Sequence, residues 1–69
     1  MKQYLVLFEK TKTGYSVYVP DLPGCISTGK TKEDAKKHIQ EAIEFHLEGL
    51  VLEGFSVPNT VTEAEVMTI

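Results

Sequence analysis

The part of the sequence that most constrains the fold is residues 18–25, which contain two prolines, an aspartate and a glycine. Pro20 and Pro23 fix their own φ angles and move the residues before them out of the helical region. Gly24 can adopt a positive φ without steric cost. Because an alternating apolar segment precedes these residues and an extended one follows them, the sequence predicts a stiff turn between two strands.

Three segments have the pattern of β-strands. Residues 1–8 alternate with apolar side chains on both faces, so we expect a strand that is central or covered on both sides. After a polar turn that ends at Gly14, residues 15–19 alternate with Tyr and Val on one face. Residues 25–28 continue as a third strand, and the short connections make all three strands antiparallel.

A long helix is predicted after these strands. Thr31 and Asp34 have the spacing of a capping box, in which the threonine side chain accepts a hydrogen bond from the first turn. Apolar residues then recur on one face roughly 120° wide: Ala35, Ile39, Ala42, Ile43, Leu47 and Leu50. The pattern ends at Gly54 after about 22 residues, because glycine is the usual residue just beyond a helix.

The last residues, 63–69, alternate weakly and predict a short strand at the edge of the sheet. The predicted order is therefore β-β-β-α-β, an α+β fold with two layers and a single domain over residues 1–69. A chain of this size buries only about 60% of the surface of its unfolded form. Since Cys25 is the only cysteine, no internal disulfide can compensate. We expect self-association, as a homodimer or a higher homo-oligomer.

Charge is divided unevenly along the chain. Residues 1–37 contain all seven lysines and four acids, a net charge of +3, whereas residues 38–69 contain six acids and no lysine or arginine, a net charge of −6. The chain has no arginine, the side chain that reads guanine and phosphate with two hydrogen bonds. This composition argues against nucleic-acid binding as the main task and suits a basic protein partner.

No group of residues has the spacing of a catalytic or metal site. His38 is expected at the surface and His46 in the apolar face of the helix, and neither has a nucleophile or carboxylate fixed nearby by the sequence. Cys25 is expected to be a small buried thiol. We therefore predict no enzymatic activity, no metal and no cofactor. A lone cysteine and the lack of an apolar run of roughly 18–20 residues predict a cytoplasmic protein that does not enter a membrane.

The predicted helix carries two candidate contact surfaces. Three glutamates form a stripe opposite the apolar face: Glu41, Glu44 and Glu48. Such a stripe is either a solvated face or a docking site for a basic partner. Phe45 and Leu52 fall off the apolar face, with Gly49 between them on the same side, where a mid-helix glycine costs about 1 kcal/mol relative to alanine. We predict that these three residues contact a second copy of the chain.

Four motifs occur together in this sequence: Y-S-V-Y-V-P-D-L-P-G-C at residues 15–25, T-G-K-T at 28–31, E-D-A at 33–35 and E-A-I at 41–43. Together they resemble the HicB-like antitoxin family, over residues 3–58. The resemblance implies a partial RNase H-like fold. It also implies a partner, the small basic RNA-cleaving toxin HicA, which such domains neutralise by covering its active surface.

The resemblance leaves two points open. Family members usually carry a C-terminal DNA-binding domain, and because this chain ends at Ile69 without one, it resembles a stand-alone N-terminal domain from which no direct DNA binding is expected. The turn is a third candidate contact surface, with Tyr18, Asp21 and Leu22 as partner-binding residues, but its role in joining two strands explains its composition equally well.

Two alternative functions remain. The chain could be an orphan domain that associates only with itself and has no toxin. It could also be a degenerate RNase H-like protein that binds nucleic acid, although the sequence lacks a cluster of carboxylates at strand positions that would hold paired metal ions.

Overall fold

In the computed structural model, which describes residues 2–69, the chain forms three strands followed by one helix. The strands are β1 (Leu7–Lys10), β2 (Tyr15–Tyr18) and β3 (Ile26–Gly29), and the helix is α1 (Lys32–Leu52). The sheet is antiparallel in the order β1-β2-β3, and α1 packs against β2 and β3. The predicted α+β architecture, a three-stranded meander with one long helix, is confirmed.

The first strand differs from the prediction. Among residues 2–8 it begins only at Leu7, and it lies at the edge of the sheet beside β2. Residue 1, which the prediction included, lies outside the described residues. Residues 2–6 lie outside the sheet, where the Tyr4 hydroxyl donates a 2.5 Å hydrogen bond to the carbonyl oxygen of Pro58. Alternation of apolar residues alone does not distinguish a strand paired within a sheet from an extended segment held by side-chain contacts. The predicted strand is therefore shorter than expected at its start, and of the two predicted placements, central or covered on both sides, the central one was wrong.

The predicted strand near the C-terminus is not confirmed either. Residues 55–69 have no regular secondary structure, and Val66 and Ile69 are exposed. The part of this segment that contacts the rest of the molecule lies earlier, where the Thr60 hydroxyl donates a hydrogen bond to the carbonyl oxygen of Gln3. Residues 63–69 have no buried apolar face, and without one nothing fixes the register of a strand.

The core lies between the sheet and the first turns of the helix. Its buried members come from β2, the turn, the residue before β3, and α1: Val17, Val19, Leu22, Cys25, Ala35 and Ile39. Both helical members lie in the N-terminal half of α1, whereas Ala42, Ile43 and Leu47 are only partly buried. The C-terminal half of the helix is therefore less covered by the sheet.

Gly29 lies where three segments of backbone meet. A Cβ atom at Gly29 would lie 2.8 Å from the Cα of Ala35 in the helix, and one at Gly14 would lie 2.8 Å from the Cα of Lys30. Neither position has room for a side chain, because atoms of the main chain occupy the space. These contacts hold the β1–β2 turn, the end of β3 and the start of α1 together.

Both ends of the helix are capped as the sequence predicts. The Thr31 hydroxyl oxygen accepts a 3.1 Å hydrogen bond from the backbone N–H of Asp34. At the other end Gly54 has a φ of +77°. The N–H groups of Gly54 and Phe55 donate to the carbonyls of Val51 and Leu50 at 3.1 and 2.9 Å, which is the hydrogen-bond pattern of a Schellman motif.

Candidate partner-binding surfaces

The turn between β2 and β3 is closed by its own backbone. The N–H of Val19 donates to the carbonyl of Cys25 at 3.1 Å, and the N–H of Cys25 donates to the carbonyl of Leu22 at 3.0 Å. The N–H of Leu22 donates in turn to the carbonyl of Val19 at 3.1 Å. Gly24 has a φ of +82°, a region that favours glycine. The turn is therefore stiff, as the two prolines and the glycine predict.

The three candidate contact residues of the turn have different environments. Leu22 is fully buried in the core, so its side chain holds the turn from inside and presents no surface to a partner. Tyr18 is half-buried on β2. Asp21 is also half-buried, and its carboxylate is occupied by other residues of the chain. Of the three, Tyr18 is therefore the residue whose side chain remains partly available to a partner.

Asp21 binds the segment that follows the helix. Its carboxylate accepts a 2.8 Å hydrogen bond from the hydroxyl of Thr62 and two of 3.2 Å from the backbone N–H groups of Val61 and Thr62. The hydroxyl bond is the main cause that lowers the pKa of Asp21, with smaller contributions from the two N–H groups, while partial desolvation acts in the opposite direction. Asp21 was predicted to be a partner-binding residue, and the sequence contains no signal for this distant contact.

A row of apolar residues crosses the face of the sheet that points away from the helix. Leu7 pairs with Tyr18, and Tyr18 pairs with Ile26, so the three side chains share one face. Ile26 is 61% exposed. A shallow groove of about 350 Å³ lies between this row and the turn, and Pro20 and Pro23 contribute to its walls. Alternate residues of a strand lie on the same face of the sheet, so the sequence contained the information needed to predict this row.

The outer face of α1 carries both surfaces predicted on the helix. The three glutamates of the stripe, Glu41, Glu44 and Glu48, are exposed. Phe45 is 80% exposed and Leu52 is 78% exposed. A Cβ atom at Gly49 would have no neighbour within 4 Å. The structure therefore presents all six residues together on the side of the helix that the sheet does not cover.

A groove of about 630 Å³ lies beside the start of the helix, lined in part by Tyr15, Lys30 and Asp34. His38, exposed as predicted, also lines it, and its Nδ1 donates a 2.6 Å hydrogen bond to the carbonyl of Thr28. The imidazole is thus oriented by a backbone carbonyl and not by a carboxylate. This arrangement lacks the base-orienting acid of a nucleophilic site.

The described part of the chain gives little support for a metal site, a reactive cysteine or a membrane-spanning helix. Within residues 2–69, no group of three or more His, Cys, Asp or Glu side chains could hold a metal ion. Cys25 is buried as predicted, and burial raises the pKa of its thiol. A buried thiol of this kind is a poor nucleophile. Among residues 2–69, no helix has the length and apolar character that crossing a membrane requires.

Comparison with known proteins gives a consistent result. Residues 4–68 match the model of the HicB-like antitoxin of bacterial toxin-antitoxin systems. A UPF0150 protein of Thermoplasma acidophilum is 40% identical over 68 residues, which are 97% of this chain and 96% of that protein. An uncharacterized 14.9 kDa protein of Haemophilus phage HP1 is 42% identical over 57 residues, 83% of this chain. The match covers only 43% of the phage protein, so the chain spans less than half of that relative.

A solved structure has the same fold. A chain of a structure described as the HicA3 and HicB3 toxin-antitoxin complex superimposes with a TM-score of 0.72 and is 37% identical in sequence. The superposition covers 87% of this chain and 70% of that one. The sequence comparisons and the structural comparison thus both lead to proteins of toxin-antitoxin systems.

Proposed function

Because the chain belongs to the HicB-like antitoxin family, we propose that it is an antitoxin that binds and neutralises a small basic RNA-cleaving toxin of the HicA type. It acts by covering the active surface of the toxin, without catalysis of its own. The observation that carries this proposal is the likeness, in sequence and in fold, to a chain of the HicA3 and HicB3 complex. The strands and the helix belong, in this proposal, to a partial RNase H-like architecture.

The charge of the chain supports a basic partner. The net charge of −6 over residues 38–69 includes the three exposed glutamates of the helix, Glu41, Glu44 and Glu48. A surface of one sign attracts a partner of the opposite sign and accelerates its association. In the turn, Tyr18 is the candidate for direct contact, while Asp21 and Leu22 act by holding the turn and the C-terminal segment in place. The complex forms in the cytoplasm, and the chain itself does not bind DNA.

Self-association is the second candidate activity. The exposure of Phe45 and Leu52, on either side of Gly49, supports a contact between two copies of the chain. The small core also supports it, since a domain of this size gains stability when an interface buries further apolar surface. An orphan domain of this kind would form a homo-oligomer and have no toxin.

Capture of the partner tests the proposal. Tagged protein is recovered from its native lysate, and the proteins that co-elute are identified by mass spectrometry. We expect one small basic protein in near-equal amount. That protein is then purified alone and incubated with RNA, with and without the chain. RNA cleavage should decrease as the concentration of the chain rises and should stop when the two proteins are present in equal amounts.

Three results would contradict the proposal. Recovery of the chain alone, at a defined multiple of its mass, would favour the orphan oligomer. A captured basic protein whose RNA cleavage is unaffected by the chain would remove the antitoxin role. Binding of the chain itself to RNA, with an affinity that falls steeply as salt rises, would favour the nucleic-acid alternative.

A further inference from the structure

One line of side chains along the outer face of α1 alternates between acidic and apolar. Spacings of four, three and four residues place Glu41, Phe45, Glu48 and Leu52 in a single row, called here the outer row. Glu41 and Glu48 are exposed, and Phe45 and Leu52 are 80% and 78% exposed. The glutamate stripe and the apolar patch are therefore one surface and not two.

We infer that the outer row is the docking site for a basic protein surface. Phe45 and Leu52 enter apolar depressions of the partner, and Glu41 and Glu48 pair with lysine or arginine side chains beside those depressions. A helix that lies in a groove is commonly held by apolar anchors at this spacing. The inference rests on the proposed function and identifies the surface through which that function is carried out.

The field around the outer row favours a basic partner. The last turn of α1 contains no basic residue, and the C-terminal end of a helix carries a partial negative charge of its own. All seven lysines lie in residues 1–37. A partner that approaches the C-terminal half of the helix therefore meets glutamates and a negative helix end.

A second copy of the chain fits the same row poorly. In a two-fold pairing of two helices the same surface meets itself. In a pairing that brings Phe45 and Leu52 of the two copies together, each glutamate of the outer row lies beside acidic or apolar side chains, and the row itself contains no cation; Lys37 lies one turn before it. A carboxylate buried without a cation or hydrogen-bond donor is strongly disfavoured. A basic partner supplies the missing cations, and the open space above Gly49 leaves room for its side chains.

The test compares substitutions on and off the outer row. Phe45→Ala and Leu52→Ala remove the anchors, and Val51→Ala is the matched control, because Val51 is 63% exposed on the same helix but outside the row. Binding to the captured basic protein is measured by calorimetry. We expect each anchor substitution to weaken binding at least tenfold and Val51→Ala to change it less than twofold.

Charge is tested separately. The double variant Glu41→Gln and Glu48→Gln should slow association at low salt and have a smaller effect at high salt. Circular dichroism of each variant confirms that it folds. Sedimentation of the chain alone, with and without Phe45→Ala, tests the competing occupant.

The outcomes separate the two claims. Inhibition of the RNA-cleaving protein that persists unchanged in both anchor variants would overturn the docking site and leave the antitoxin role intact. A homodimer that dissociates when Phe45 is replaced would assign the outer row to a second copy and overturn the inference. Failure to capture any basic protein would overturn both. A loss of binding confined to the outer row supports both.

Discussion

The carboxylate of Asp21 accepts a 2.8 Å hydrogen bond from the hydroxyl of Thr62, which lies 41 residues further along the chain. Two backbone N–H groups, those of Val61 and Thr62, donate to the same carboxylate. One side chain thus joins the turn before β3 to the segment after the helix. Residues 61 and 62, which have no regular secondary structure, are thereby joined to the turn.

Asp21→Ala should release residues 58–62 from the turn. The pKa of Asp21 is lowered in the folded chain, so its contribution to the free energy of unfolding is complete above the usual value of about 3.9 and is lost as the pH falls through the lowered pKa. The variant should lack this acid-dependent contribution. Urea denaturation between pH 2 and pH 7 measures it, and amide hydrogen exchange at Val61 and Thr62 reports the release.

Glu63→Ala is the control for this prediction, because it removes an exposed carboxylate from the same segment. Its pH profile and its exchange rates should match those of the parent chain. If Asp21→Ala left both quantities unchanged, the contact would not hold the segment in solution.

Alanine at two glycines should have opposite effects. Gly29→Ala places a Cβ against the backbone of Ala35 and should lower the free energy of unfolding by about 1–3 kcal/mol, since main-chain atoms cannot move aside cheaply. Gly49→Ala meets open space in a helix and should raise it by about 0.5–1 kcal/mol. Chemical denaturation followed by circular dichroism measures both. Equal effects would mean that the backbones do not meet at Gly29.

The same substitution at two leucines separates a core role from a surface role. Leu22 has no exposed surface and Leu52 is 78% exposed. Leu22→Ala should lower the free energy of unfolding by about 2–5 kcal/mol, whereas Leu52→Ala should change it by less than about 0.5 kcal/mol. Thermal and urea unfolding provide the values. A mild effect at Leu22 would indicate that the turn opens in solution and that its leucine is available to a partner.

The thiol of Cys25 should react slowly in the folded chain. Burial removes it from solvent and raises its pKa, so little thiolate forms at pH 8. Because the chain has no other cysteine, the absorbance released by a disulfide reagent reports this residue alone. The rate should rise sharply across the urea unfolding transition. Rapid labelling in the absence of urea would show that the turn exposes the thiol without global unfolding.

Local signals account for the elements that the sequence predicted well. Thr31 and Gly54 begin and end the helix through hydrogen bonds to residues within one or two turns, and the capping preferences of threonine and glycine contain that information. Pro20, Pro23 and Gly24 likewise restrict the backbone of their own turn. Structural features that depend on residues close together in the chain can therefore be predicted from a single sequence.

Distant contacts account for the errors. Residues 1–8 were predicted to form a strand that is central or covered on both sides, but the position of a strand in a sheet depends on which segments pair with it, and within residues 2–69 β1 pairs with β2 alone. The segment after the helix is held by Asp21, Tyr4 and Gln3 through side-chain bonds that bridge 40 or more residues. Side-chain bonds of that span have no periodicity, so no pattern in the sequence predicts them.

The exposure of the candidate contact residues was likewise predictable in the helix but not in the turn. Helical spacing was sufficient to predict the exposure of Glu41, Glu44 and Glu48, because every side chain of a regular helix has a defined direction. Within the turn no such periodicity exists, and Leu22 was proposed as a contact although it is buried. The residues before and after it are prolines or charged, which is the usual composition of a surface loop.

On α1, the residues that bury themselves against the sheet and those of the outer row are different residues. Ala35 and Ile39 secure the helix near its beginning, whereas the row lies on the other side and extends toward its end. The residues that hold the helix in the fold are therefore separate from those proposed to bind the partner. Substitutions at the four positions of the outer row should therefore change the preference for a partner with little loss of stability.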